Sequence, residues 1–220
     1  MYNIISIVGT SDSGKTTLIE KLVTLLTKKG YKIATIKHDA HSFDIDREGK
    51  DSYRHKQAGA KTVIISSSEK IAMISSVSKE PTLEELMLLL PDDIDIIITE
   101  GYKRSNKPKI EVFRTSHSRD FLCKDDNTLV AVATDDLNAS EIENVNNKFL
   151  LDNIEDIAVF IETNFIKKEN KDDIILFING KQIHLNEFVK NTLILTINAL
   201  VKPLKGASNA KNIWLKIRNK

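Results

Sequence analysis

The sequence predicts an α/β fold, a mostly parallel sheet flanked by helices, followed by a small ββαβ appendage. Three observations carry that expectation. A strand, a glycine-bounded loop, an amphipathic helix and a second strand follow one another at the N-terminus. Short β-branched runs then recur between helical patterns up to about residue 166, and an almost wholly charged stretch, 167–173, breaks the pattern. Ile4 to Val8 is a short apolar run of the kind that is buried on both faces of a parallel sheet. After the loop Gly9 to Gly14, Leu18, Leu22, Leu25 and Leu26 repeat with helical spacing, and Gly30 stands where a helix C-terminal cap belongs. Tyr31 to Ile36 reads as the next strand, and a strand–helix–strand unit of this kind implies parallel pairing.

Ala60 to Ile65 and Lys70 to Ile74 have strand composition. Thr82 and Glu85 form a capping box for a helix carrying Leu83, Leu86, Leu89 and Leu90, stopped by Pro91. Ile94 to Thr99, Lys109 to Phe113 and Thr128 to Ala133 read as further strands, and Glu155 to Ile166 as the closing helix. The expected organisation is therefore a domain over 1–166, a charged linker over 167–173, and a small basic α+β domain over 174–220. In the last, Asn179-Gly180 suits a type I′ hairpin turn between Ile174–Ile178 and Lys181–Leu185. A helix over Asn186 to Val201 and a final strand over Asn212 to Arg218 complete it.

Charge divides along the same line. From Lys171 onward there are nine Lys/Arg and three Asp/Glu, whereas the preceding part carries 23 basic and 28 acidic residues. Such asymmetry points to an interaction surface on the basic part or to a solvated lysine face. No apolar run approaches the roughly eighteen residues that span a bilayer, and the start of the chain has no signal-peptide pattern. A single cysteine, Cys123, rules out an internal disulfide and suits a cytoplasmic setting; it reads as an incidental thiol. Neither a membrane nor a nucleic acid is expected as partner.

Gly9-Thr10-Ser11-Asp12-Ser13-Gly14-Lys15-Thr16 fits the Walker A pattern G-x-x-x-x-G-K-S/T. The chemistry needs this arrangement because a triphosphate must be neutralised without bulky side chains in the way. Successive N–H groups of a glycine-containing loop and the positive end of the following helix do so. Lys15 is expected to reach the β- and γ-phosphates, and the Thr16 hydroxyl to ligate Mg²⁺. A strand upstream and a helix downstream, opening at Lys15, Thr16 and Thr17, make the domain one of P-loop type that binds a purine nucleoside triphosphate with magnesium.

A second acid belongs at the carboxyl end of a parallel strand. In Ile94–Gly101, Asp95 stands at the start and Glu100 at the exit, roughly 16 Å apart, so Glu100 is assigned to magnesium or its water shell. Asp95 is left to solvent or to the strand start. The segment Lys37–Ser52, dense in polar groups, reads as a loop at the same edge, a switch-like candidate for the γ-phosphate and magnesium. Within it, Asp44 and Asp46 are magnesium candidates or structural residues, and zinc binding by His38 and His41 lacks a cysteine partner. Asn106-Lys107 and Asn147-Lys148 lack the acid of the usual guanine-reading motif. Asp135, ending Val130–Thr134, is the candidate guanine reader, since a carboxylate accepts both the N1 and N2 protons of guanine.

From Met1 to Ile166 the chain resembles the molybdopterin-guanine dinucleotide biosynthesis protein B family (MobB). The matching pieces are GTSDSGKTTL, IKHDAHSFDIDREGKDSYRHKQAGA, TEGYK and VAVATD, of which the second is the most specific. The resemblance implies a homodimeric, GTP-binding protein with weak GTPase activity. Such a protein assists the guanylyltransferase that joins GMP to molybdopterin. It carries phosphate and magnesium binding onto Gly14, Lys15 and Thr16, and places His38, Asp44, Asp46 and Glu100 on the family's characteristic positions. Lys15 and Glu100 are the residues expected to serve any hydrolysis. Arg47, Arg54 and Arg104 are the candidates for an intrinsic arginine finger. The resemblance leaves out 171–220, whose basic balance suits the anionic pterin phosphate, a partner protein or a dimer contact; His184 and Trp214 read there as packing residues. The competing readings are a small-molecule kinase, which needs an acceptor pocket and lid, and a metal-delivery GTPase chaperone, which needs a Cys or Cys-His motif.

Overall fold

The computed structural model describes residues 3–39, 45–91, 93–118, 120–166, 174–178, 181–207, 209–210, 213, 215 and 217, with the backbone alone at 181–182. The chain divides into two compact units, Tyr2–Lys167 and Lys168–Lys220. His41, Asp44, the 167–173 linker, the Asn179-Gly180 turn and Trp214 lie outside the described residues.

In the first unit the elements run β1 (Ile4–Val8), α1 (Lys15–Lys28), β2 (Ile33–Lys37), α2 (Asp51–Gln57), β3 (Thr62–Ser66), β4 (Ile71–Ser75), α3 (Leu83–Met87), β5 (Ile96–Glu100), β6 (Lys109–Phe113), β7 (Leu129–Thr134), β8 (Lys148–Leu150) and α4 (Ile154–Phe165). Six strands form one sheet in the order β2-β5-β1-β6-β7-β8, and every pairing in it is parallel. The apolar run of β1 is buried along its whole length, as expected for a central strand with helices on both faces.

Alternation along each strand decides which helix it meets. Ile5, Ile7, Ile96 and Ile98 point to the face covered by α1 and α4, where they pack with Leu18, Leu22, Leu26, Ile157 and Ile161. Ile4, Ala34 and Ile97 point the other way, onto Leu83 and Met87 of α3. On that second face Thr99 donates to Ser6 at 2.8 Å, so two buried hydroxyls in adjacent strands satisfy each other. Burying each of these aliphatic side chains is worth about 1.5–3 kcal/mol, which makes the β1–α1 junction the stable base on which the loop between them stands.

Two buried charges brace β6. Lys109, 1% exposed, donates to the Ser105 carbonyl and to Thr128 Oγ1, each at 2.5 Å, and pairs with Asp126 at 3.0 Å. Glu111 accepts the N–H groups of Leu122 and Cys123, both at 2.8 Å, while burial pushes its carboxyl above the usual range. Burial and the adjoining Glu111 push the Cys123 thiol up to about 12, so it stays protonated and unreactive.

In the first unit the structure departs from the sequence expectations at four places. The segment read as a loop over Lys37–Ser52 ends in a helix, since Asp51 and Ser52 open α2, which has no buried residue and hence no apolar period to announce it. β3 and β4 pair antiparallel with each other, outside the main sheet. The helix opened by the Thr82–Glu85 capping box closes at Met87 and continues as turns to Leu90. Short β8, which extends the main sheet beyond β7, carries no sequence signal of its own.

The second unit has an antiparallel pair, β9 (Leu176–Ile178) with β10 (Lys181–Ile183), and α5 (Glu187–Val201), capped by Asn186, which accepts from the Val189 N–H. Of the predicted last strand, Ile213, Leu215 and Ile217 are described and belong to no regular element.

Candidate functional site

β1 ends at the carboxyl edge of the sheet and turns into the loop that starts α1. The turn requires glycine twice. Gly9 has φ 149°, and a Cβ there would stand 2.5 Å from the Val112 carbonyl oxygen and 2.8 Å from Ser13 Oγ, so the bare backbone lets the loop lie against β6. Gly14, with φ 100°, is the N-cap of α1 and accepts from the Leu18 N–H at 3.0 Å. Between them Asp12 adopts φ 56°, and the Ser13 N–H closes on the Thr10 carbonyl. The first N–H groups of a helix have no intrahelical acceptor. Those at Lys15, Thr16 and Thr17 therefore stand ready for an anion, backed by the positive end of the helix dipole. Ser13 itself is fully buried, with an Oγ that has no hydrogen-bond partner among the described residues.

The alternation of β5 puts Glu100 on the α1 side of the sheet, beyond Ile96 and Ile98. There the Thr16 hydroxyl lies 3.1 Å from both Glu100 carboxylate oxygens, and Lys37 Nζ, from the register partner on β2, approaches Oε1 at 3.4 Å. Lys15 Nζ donates to the Thr10 carbonyl at 2.5 Å. Burial holds its ammonium below the usual lysine range, with Lys37 adding to that effect and Glu100 and Asp12 opposing it. A hydroxyl and a carboxylate are the kinds of oxygen donor Mg²⁺ takes. Among the described residues no group of three or more His, Cys, Asp or Glu is gathered for a metal.

The remaining candidates fall further out. His38 follows β2, its N–H on the Glu100 carbonyl, but its ring turns to Glu80, with Nε2 2.6 Å from Oε1, and lies 5.1 Å from the ring of Tyr102. Asp46 accepts from Ser52 Oγ through Oδ1, and its Oδ2 is buried without a hydrogen-bond partner among the described residues. Asp95 caps the start of its strand by accepting the Lys32 N–H, at the far end from Glu100. Asp135, at the carboxyl end of β7, is used internally: Oδ1 accepts from Thr115 N and Oγ1, and Oδ2 from Ser116 N and Oγ. Four donors fill the acceptor sites of a carboxylate, so the guanine-reading assignment gives way to that of a turn organiser. Burial raises its pKa, but these hydrogen bonds together hold it below the usual carboxylate range.

The turn that Asp135 holds begins at Arg114. Its Nη1 stands 3.8 Å from where a Cβ on Gly14 would be, and His117 Nε2 meets the Ser11 carbonyl at 2.7 Å. Of the arginines singled out from the sequence, Arg54 pairs with Asp51 within α2, and Arg47 and Arg104 are exposed. The sequence reading missed Arg114; its one signal, an arginine directly after a strand, becomes legible only once β6 is known to lie beside β1.

Fold and loop together define a P-loop NTPase-type domain. Comparison with known proteins narrows this. Residues 4–135 match the model of the family described as molybdopterin guanine dinucleotide synthesis protein B. The chain is 36% identical over 132 residues to a molybdopterin-guanine dinucleotide biosynthesis adapter protein of Haemophilus influenzae, covering 60% of this chain and 74% of that one. It is 30% identical over 234 residues to a putative adapter protein of the same description from Methanocaldococcus jannaschii, covering 97% of each. A crystal structure of molybdopterin-guanine biosynthesis protein B superposes with TM-score 0.54 at 32% identity, covering 73% of this chain and 98% of that one. The chain belongs to the molybdopterin guanine dinucleotide synthesis protein B family.

Proposed function

We propose that this chain binds GTP with Mg²⁺ through Gly9–Thr17 and serves as an adapter in molybdopterin guanine dinucleotide formation. In this reading it assists the guanylyltransferase that joins GMP to molybdopterin, in the cytoplasm, as a homodimer with weak GTPase activity at most. The observation that carries the nucleotide reading is the corner where Thr16, at the start of α1, meets Glu100, at the end of β5. Loop amides and Lys15 grip the phosphate chain, while Thr16 and Glu100 hold the metal and its water shell. When bound, Mg²⁺ supplies positive charge to the β- and γ-phosphates. Lys37, already ion-paired with Glu100, limits the negative charge gathered there. The guanine preference is supported by family membership, since the family's product carries a guanine nucleotide.

The test is a competition of GTP, GDP and ATP, with and without Mg²⁺, on the full chain and on Lys15→Ala. GTP is expected to displace ATP, Mg²⁺ to tighten GTP, and Lys15→Ala to abolish the binding. ATP outcompeting GTP, or unchanged affinity in Lys15→Ala, overturns the reading. The adapter role is tested by adding the chain to its guanylyltransferase and molybdopterin and measuring the rate of dinucleotide formation, which should rise.

A further inference from the structure

β6 lies on the opposite side of β1 from β5, and both strands run parallel to it. The loop between β1 and α1 is therefore flanked at the carboxyl edge by two segments. On one flank is Glu100 with the metal corner; on the other is the turn that follows Phe113. This turn is tied down at three points. The Arg114 carbonyl accepts the N–H groups of His117 and Ser118, closing the turn on itself. Asp135 accepts four hydrogen bonds from Thr115 and Ser116. His117 fastens the turn to the loop by donating from Nε2 to the Ser11 carbonyl, an acceptor that requires the proton on that nitrogen.

So much fastening holds one side chain in place. Arg114 lies with Nη1 beside Gly14, 3.8 Å from a Cβ built there, and Leu151 Cδ2 stands at the same distance from that Cβ. Its Nε is buried and has no hydrogen-bond partner among the described residues. A guanidinium placed for structural reasons has its donors met by carbonyls or carboxylates, because a buried unmet donor is costly. Here Gly14, beside which Nη1 stands, is followed in the chain by another cation, Lys15. Cations converging on a cradle of backbone amides are stable partners for a polyanion, and the planar fork of arginine suits phosphate oxygens better than the point charge of lysine.

We propose that Arg114 is an intrinsic phosphate-binding arginine, delivered by the 114–118 turn to the diphosphate portion of the nucleotide on the flank opposite Thr16 and Glu100. This rests on the nucleotide-binding reading given above and adds a residue to it. Because the metal corner lies on the β5 side, Arg114 serves the part of the phosphate chain shared by GDP and GTP. Losing it weakens both nucleotides alike and leaves the Mg²⁺ dependence of GTP binding unchanged.

The experiment compares the full chain with Arg114→Ala, Arg114→Lys and Lys15→Ala, measuring GDP and GTP affinity by calorimetry and thermal unfolding without nucleotide. Arg114→Ala is expected to weaken GDP and GTP by the same factor, about 10- to 100-fold as for a lost charged hydrogen bond. Arg114→Lys is expected to recover part of that loss. The nucleotide-free melting temperature should stay level or rise, because an unmet buried donor has been removed. If the unaltered chain binds and Lys15→Ala does not, while Arg114→Ala binds as the unaltered chain does, the arginine assignment falls and the loop reading stands. A loss confined to GTP, or a lower nucleotide-free melting temperature with unchanged affinity, also overturns the assignment. If the unaltered chain binds neither nucleotide, both readings fall together.

Discussion

The hydroxyl of Thr16 stands 3.1 Å from each carboxylate oxygen of Glu100, a residue 84 positions away in the chain. Both belong to rigid elements: Thr16 to the first turn of α1, whose apolar side is locked into the core, and Glu100 to the end of a buried strand. The corner is held by packing, so its geometry does not have to be assembled when a ligand arrives.

Replacing Glu100 by Gln keeps the shape of the side chain and removes its charge. Mg²⁺ affinity in the presence of GTP is expected to fall by about 10- to 100-fold, the range for groups that hold or orient a metal shell. Metal-free GTP binding should not weaken. A titration of Mg²⁺ against a fixed GTP concentration reads the difference, and an unaltered metal dependence would take the metal-holding role from Glu100.

Gly9→Ala places a methyl group 2.5 Å from the Val112 carbonyl oxygen at a φ of 149°. The obstacle is backbone of the adjacent strand, which cannot swing aside, so the loop must lift from β6. The expected cost is about 2 kcal/mol or more in stability, read by thermal or urea unfolding, accompanied by loss of nucleotide affinity.

Asp135→Asn separates the two roles considered for this carboxylate. As organiser of the 114–118 turn, its loss lowers GTP and ATP affinity by the same factor. As a guanine reader, its loss would spare ATP. The pH dependence has a definite sign. Hydrogen bonds depress the folded-state pKa below the ordinary 3.8, so the stability Asp135 contributes is fully present above that value. It is lost as pH falls through the lower folded-state value. An acid-unfolding series on the unaltered chain and Asp135→Asn should differ most above pH 3.8 and converge only once the pH has fallen below the lower folded-state value.

Lys109 is a buried charge with a structural task. Lys109→Ala removes the cation that pairs with Asp126 and serves two oxygen acceptors. It is expected to cost about 3 kcal/mol, since breaking a buried pair strands its partner. Denaturant unfolding measures the loss. The affinity of the folded variant for GTP should be that of the unaltered chain, because Lys109 begins β6 at the end away from the loop.

The glycine-bounded loop, the strand before it and the helix after it were legible because their signals are local. Glycines at the turns, a lysine and a hydroxyl at the helix start, and leucines at helical spacing all act within about one element of each other. The place of Glu100 at the carboxyl edge was legible for a related reason: a strand's exit can be located from its apolar run. α2 and β8 were not legible, the first because its residues contact too little core to show a period, the second because three residues carry too little pattern. Asp135 was found as a strand-end acid, but the donors that fill it sit on the turn after β6.

By itself the sequence determined the class of domain, the glycine-bounded loop between its first strand and helix, and its likeness to one family, since each depends on residue types at short spacing. Only the tertiary structure decided what stands across the loop. That depends on the order β5-β1-β6, which brings Glu100 to one flank and Arg114 to the other. Strand order follows from how whole faces bury together, and no spacing along the chain encodes it.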